Sequence, residues 1–107
     1  MVNRFMKIMV FFDLPVSTKA KRKAYTQFRN RLIKEGFIML QYSVYARTVR
    51  NSDDAAKYVK RVKSFLPEEG SVRIMTVTDK QYNAIEIVVG RRLEEEDLLD
   101  TKDIIEL

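Results

Sequence analysis

Met6–Pro15 reads MKIMVFFDLP, an apolar stretch that meets a single carboxylate, Asp13, and is closed by a proline two residues later. Val10, Phe11 and Phe12 show no polar alternation, so the strand is expected to be buried on both faces. Pro15 cannot donate to a sheet ladder and stops the strand. Asp13 is thereby placed at the mouth of a sheet, where a charge keeps contact with water. Two readings of that carboxylate stand side by side. It ends a strand and opens a turn, since Asp-x-Pro is ordinary turn chemistry, or it is the working acid of a functional site.

Composition narrows the chemistry. The 107 residues suffice for one domain with a real core, small enough for oligomerisation to add useful burial. No run of 18 or more apolar residues is present, so no membrane span or membrane partner is expected. The N-terminus is interrupted too early by Asp13 to read as a signal peptide, and the expected location is cytoplasmic. Cysteine is absent, which removes disulfides, thiolate catalysis and cysteine zinc sites. Histidine is absent as well, which removes imidazole acid–base chemistry and the common histidine metal sites. Catalysis, if any, must rest on carboxylates, Lys, Tyr, Ser or a hard cation with oxygen ligands.

The net charge of +5 hides an asymmetry. Residues 1–92 carry 19 Lys and Arg against 8 Asp and Glu, a surplus of 11, whereas residues 93–107 carry one Lys against 7 acids, a net of −6. The basic part suggests a polyanionic partner, most simply nucleic acid. The acidic tail also holds Leu98, Leu99, Ile104, Ile105 and Leu107, too much apolar surface for a purely solvating end. The division expected is a folded domain over residues 1–92 and a docking tail over 93–107.

Element signals follow in a clear order. The first strand covers residues 4–12. Ser17 or Thr18 caps a helix from about Lys19 to Glu35, with Gly36 as its stop. Ala24, Tyr25, Phe28 and Leu32 form its core stripe. Phe37–Val49 is rich in strand formers and breaks into two strands near Gln41–Ser43. Ser52 caps a second helix through about Phe65, with Ala55, Tyr58, Val59, Val62 and Phe65 inward. Ser71–Thr78 is a strand, Asp79–Asn83 a short turn or helical turn, and Ile85–Val89 a last apolar strand ended by Gly90. The order is β-α-β-β-α-β with an additional C-terminal strand, an α+β ferredoxin-like plan with both helices on one face of a four-stranded sheet. The uncovered face needs a partner, and a homodimer packed sheet to sheet is the simplest one for a short chain.

Three segments together carry a family resemblance: VFFDLPVS at the end of the first strand, QYSVYAR after the first helix, and TVTDKQYNAIEIVVG near the end. From residue 5 to 90 the chain resembles the second, smaller core protein of CRISPR adaptation, the partner of the CRISPR integrase. The long first helix and acidic tail are similar to the form found with type II systems. The resemblance implies a homodimer in which Ile85–Val89 adds to the sheet of the other protomer. It also implies a place between two integrase dimers, spanning the middle of a double-stranded DNA fragment in spacer acquisition. Finally, it implies a Mg²⁺-dependent endonuclease in which Asp13 is both the catalytic residue and the metal ligand.

The residues themselves leave the choice open. Mg²⁺ takes about six oxygen ligands, usually one or two of them carboxylates, with water and phosphate filling the rest. One Asp13 is thin for that, whereas a two-fold axis would bring two copies to one ion. Two facing aspartates without metal repel, and one tends to hold a proton. Ser17 and the amides opening the first helix are placed to hold phosphate nearby. Lys19 and Arg22 at the start of that helix, with Arg91 and Arg92 after the last strand, are the candidate nucleic-acid contacts. Such groups set affinity without reading sequence. Taken one at a time, basic residues on a helix are commonly just solvated; the collective surplus argues for a polyanion. The RNP1 pattern of a single-strand stacking platform is missing. The two functions in contention are a DNA-bridging scaffold with accompanying endonuclease activity, and an endonuclease acting on RNA or DNA as its main role. A ligand-sensing regulatory domain suits the plan but not the charge.

Overall fold

In a computed structural model, residues 5–92 are described. The elements are β1 (Met6–Asp13), α1 (Lys19–Lys34), β2 (Ile38–Gln41), β3 (Val44–Val49), α2 (Ser52–Lys63), β4 (Ser71–Thr78) and α3 (Asp79–Asn83). The four strands form one sheet in the order β2-β3-β1-β4, antiparallel at every pairing. Each of the two crossovers skips over one strand, which is the split β-α-β arrangement expected of a ferredoxin-like α+β fold. The first residue of the expected 4–12 strand and the whole 93–107 tail lie outside the described residues.

Strand period explains the two cores. Ile8, Val10 and Phe12 lie under the helices with Phe28 and Leu32 of α1, Val62 of α2, and Tyr45 and Val49 of β3. Met9 faces the opposite way and forms a smaller cluster with Ala46 and Tyr82, bordered by Phe11, Ile38, Leu40, Val44 and Val77. The unalternating run in β1 is therefore apolar on both faces because α3 lies over the face that α1 and α2 leave uncovered. Phe12 anchors the helix side: its ring meets Tyr25, Phe28 and Tyr45 at 5.8, 5.1 and 5.6 Å. The Tyr45 hydroxyl, taken out of water, accepts a hydrogen bond from Arg29 Nε at 2.9 Å.

Helix ends follow local chemistry. Thr18, with an extended backbone, accepts the Lys21 amide at 3.1 Å and is the cap of α1. At the other end Gly36 adopts φ +92°, where a side chain would be strained. The cap of α2 is Asn51 rather than Ser52: Asn51 Oδ1 accepts the Asp54 amide at 2.8 Å, and Asp54 Oδ2 accepts the Arg50 amide at 3.0 Å. This reciprocal pair puts Ser52 inside the helix. Burial raises the Asp54 pKa, but the Arg50 hydrogen bond, the Lys57 hydrogen bond and charge, and the Arg47 charge outweigh it and hold the carboxyl below its usual value.

The expected strand at Ile85–Val89 does not form within the chain. After α3 the backbone crosses the face of the sheet instead of running beside an edge, so no ladder is available to it. Ile85, Ile87 and Val89 line a cleft of about 430 Å³ with Met9, Phe11, Leu40 and Val44. Val88 and Val89 remain 86% and 91% exposed.

α3 is fixed from both ends. Thr78 and Gln81 form a capping box, and the Asp79 amide donates to the Phe5 carbonyl at 3.3 Å. Asp79 also accepts a hydrogen bond from the buried Lys7 ammonium, which lies 5.3 Å from the centre of the Tyr82 ring. Lys7 is only 3% exposed, so the pair must be kept together. Asp79→Asn is expected to destabilise the protein by about 3 kcal/mol because it leaves a buried cation without its counter-charge. Lys7→Met with Asp79→Leu should restore most of that loss. Urea unfolding of the single and double variants measures both, and an additive double variant would show that the pair is not coupled.

Candidate functional site

Asp13 is the last residue of β1, opposite Ser71 in β4. The Phe12 amide donates to the Ser43 carbonyl at 3.0 Å, which ties the strand end to the β2–β3 turn. Ser43 takes φ 62° there, and Tyr42 beside it is 86% exposed. On the other side, the turn Pro67–Gly70 closes against the backbone of Asp13 and Leu14. A Cβ on Gly70 would lie 2.6 Å from the Asp13 carbonyl oxygen, so only glycine fits. Leu14 is buried, in the helix-side core, while Asp13 is exposed. The strand end is thus pinned by its neighbours and its carboxylate is left in solvent, on the sheet face opposite α1 and α2.

The face that carries Asp13 is set by alternation. Val72 and Ile74 pack with the helix-side core, so Ser71, Arg73, Met75 and Val77 share the opposite face with Phe11 and Asp13. Arg73 pairs with Phe11, one place diagonal to Asp13. It was not among the residues singled out by motif; the signal is the register of β4 against β1, which a sequence does not display.

The basic candidates divide between the two layers. Lys19 and Arg22 open α1, which the short loop 14–18 keeps at the Asp13 end of the sheet. Arg22 Nη1 donates to the Val16 carbonyl at 3.1 Å, which folds its side chain back over that loop. Lys21 spans to Glu69 at 3.5 Å across a cleft of about 850 Å³ between α1 and the turn after α2. Arg91 and Arg92 lie on the other layer, in the cleft shared with Phe11, Leu40 and Gln41. Arg47 is absorbed by the fold: it bonds the Glu35 carbonyl at 2.8 Å and stacks 3.7 Å from the centre of the Tyr58 ring.

Among the described residues no group of three or more Asp or Glu could hold a metal ion. Glu68 and Glu69 are exposed in the adjoining turn, Glu69 paired with Lys21, while on the open sheet face the described residues offer one carboxylate at this strand end, Asp13. That donor set cannot hold a divalent ion by itself, but it is half of what a shared ion with two carboxylates would use. No helix of the described residues is long and apolar enough to cross a membrane.

Known proteins place this arrangement. A solved structure described as a crystal structure of cas2 superposes with a TM-score of 0.56 at 23% identity, over 84% of this chain and 92% of that one, which shows the fold. A protein of Acidovorax ebreus (strain TPSY) named CRISPR-associated endoribonuclease Cas2 is 46% identical over 92% of this chain and 97% of its own length. One of the same name from Ligilactobacillus salivarius (strain UCC118) is 48% identical over 84% of this chain and 89% of its own. The family profile for CRISPR associated protein Cas2 matches residues 6–85, and the chain belongs to the Cas2 family.

Proposed function

We propose that the chain is the dimeric nucleic-acid-binding subunit of CRISPR adaptation, holding double-stranded DNA through its phosphates and bridging integrase dimers. The observation that carries this is an incomplete sheet face. Met75 is 48% exposed, Ile85 51%, Ile87 49%, and Val88 and Val89 almost wholly so, all in one short stretch of sheet and C-terminal segment. Such a surface is larger than scattered apolar residues and is suited to a second copy. In a dimer, Ile85–Val89 has access to what one chain denies it, the free edge of the partner's β4. The acidic residues 93–107 then serve as a docking segment for the integrase.

A second reading is supported by the relatives' name and by Asp13 itself: hydrolysis of phosphodiester bonds in RNA or DNA. Two copies of Asp13 across the dyad would hold one Mg²⁺, with water and substrate phosphate completing its shell. The chemistry such an ion would supply there is polarisation of a phosphoryl oxygen and activation of a water. The chain's own part is to hold the carboxylates rigidly, by Phe12 beneath and Gly70 beside them, at the same end of the sheet as Lys19 and the start of α1 in the other layer.

Asp13→Ala should lower cleavage in Mg²⁺ by about 100-fold or more while leaving the dimer intact, since the side chain is exposed. Without metal, Asp13→Asn should strengthen the dimer by removing two facing charges. Cleavage assays with sedimentation in chelator measure the two effects, and wild-type cleavage by Asp13→Ala would end the nuclease reading. DNA affinity should fall steeply with salt and be indifferent to sequence. Removing Lys19 with Arg22, or Arg91 with Arg92, should reduce the slope of log K against log salt by about 2, equally for unrelated duplexes. Loss confined to one duplex would make those residues base readers.

A further inference from the structure

We propose that Arg73 binds the phosphate that Asp13 acts upon, one guanidinium beside each carboxylate; this rests on the nuclease reading above. The argument begins with register. Phe11 pairs with Arg73 and Asp13 with Ser71, and all four side chains share the face opposite the helices. Diagonal neighbours on adjacent antiparallel strands are about 7–8 Å apart at their backbones, within reach of an arginine side chain. Arg73 is the only charged residue of β4, in SVRIMTVT. It is exposed and, among the described residues, its side chain has no hydrogen bond, ion pair or ring contact. The Asp13 side chain likewise has none, so two opposite charges at diagonal register positions do not neutralise each other.

That separation is informative. Arg22, Arg29, Arg47 and Arg61 each spend their guanidinium on a carbonyl, a hydroxyl or a carboxylate of the chain. Arg73 keeps its fork open on the sheet face that carries Asp13. A planar fork matches two non-bridging phosphate oxygens, which a carboxylate alone would repel. In hydrolysis a bond forms from water oxygen to phosphorus, one phosphorus–ester bond breaks, and the water proton ends on the departing oxygen. Arg73 takes no part in that exchange; it counters charge on the two oxygens that stay. The plainer role for a lone charge in an edge strand is to discourage edge-to-edge pairing, and any charge serves that purpose.

The test uses the full chain with Mg²⁺, a single-stranded RNA oligomer and a DNA duplex, and compares Arg73→Ala, Arg73→Lys, Arg73→Glu and Asp13→Ala. Arg73→Ala should lose about 30-fold in kcat/KM, with the larger part in KM, while its thermal midpoint and dimer stay as in the wild type. Arg73→Lys should recover part of the loss, and Arg73→Glu should be worse than Arg73→Ala. Wild-type rates for Arg73→Ala beside an inactive Asp13→Ala overturn the role of Arg73 alone. Wild-type rates for Asp13→Ala, or no cleavage by the wild type, overturn the nuclease reading and this inference with it. If Arg73→Ala loses the dimer, Arg73→Lys decides: full activity once the dimer is restored means the charge serves assembly, whereas a dimer of reduced activity supports phosphate binding. Equal performance of Arg73→Glu and Arg73→Lys assigns Arg73 to edge protection.

Discussion

β1 runs through the middle of the sheet with β3 on one side and β4 on the other, its even-numbered side chains under α1 and α2 and its odd-numbered ones on the opposite face. Ile8 and Val10 are fully buried, and Phe12 nearly so. A strand enclosed in this way cannot slip by one residue without moving a whole row of side chains to the wrong face. That fixed register is what gives Asp13 a defined position. The strand ends where its apolar residues end, and the first side chain past Phe12 on the open face is the carboxylate.

Lys7 shows the same rule with the opposite outcome. It is on the same face as Asp13 at the far end of β1, but there α3 covers the sheet. A charge under that cover survives because Asp79 and the Tyr82 ring are brought to it, and the Thr78–Gln81 capping box makes α3 rigid enough to keep them there. The face therefore runs from a closed, neutralised pair at one end to open, unpaired charges at the other. Among the described residues nothing covers Asp13 and Arg73, and both are exposed.

Most of the scaffold was legible in the sequence because its signals are local. The period of β1, the stripe Phe28–Leu32, the stop at Gly36 and the break at Gln41–Ser43 each depend on neighbours a few residues away, and all lie where the pattern puts them. Asn51 displaced Ser52 as the cap of α2 because either side chain can accept the amide and the backbone chose the earlier one. Ile85–Val89 has every local mark of a strand, yet strand formation is decided by whether an edge is at hand, which is a property of the assembly. The place of Arg73 is hidden for a related reason: β1 and β4 are separated by about half the chain, and which residue of one falls beside Asp13 is a fact of register alone.

These two non-local facts bear on each other. The free edge of β4 lies beside the strand that carries Arg73, and the apolar segment Ile85–Val89 lacks an edge. A second copy that supplied its segment to this edge would pair with β4, at one end of which Asp13 and Arg73 stand. A two-fold axis near that end would bring two carboxylates together, an arrangement that repels unless cations intervene. Arg73 of each chain, diagonal to Asp13 in the register of β4 against β1, would lie beside that pair. Readiness for a phosphate would then rest on an arginine beside an aspartate that leaves room for a third charge, while the dimer itself would rest on the apolar segment and the edge it completes.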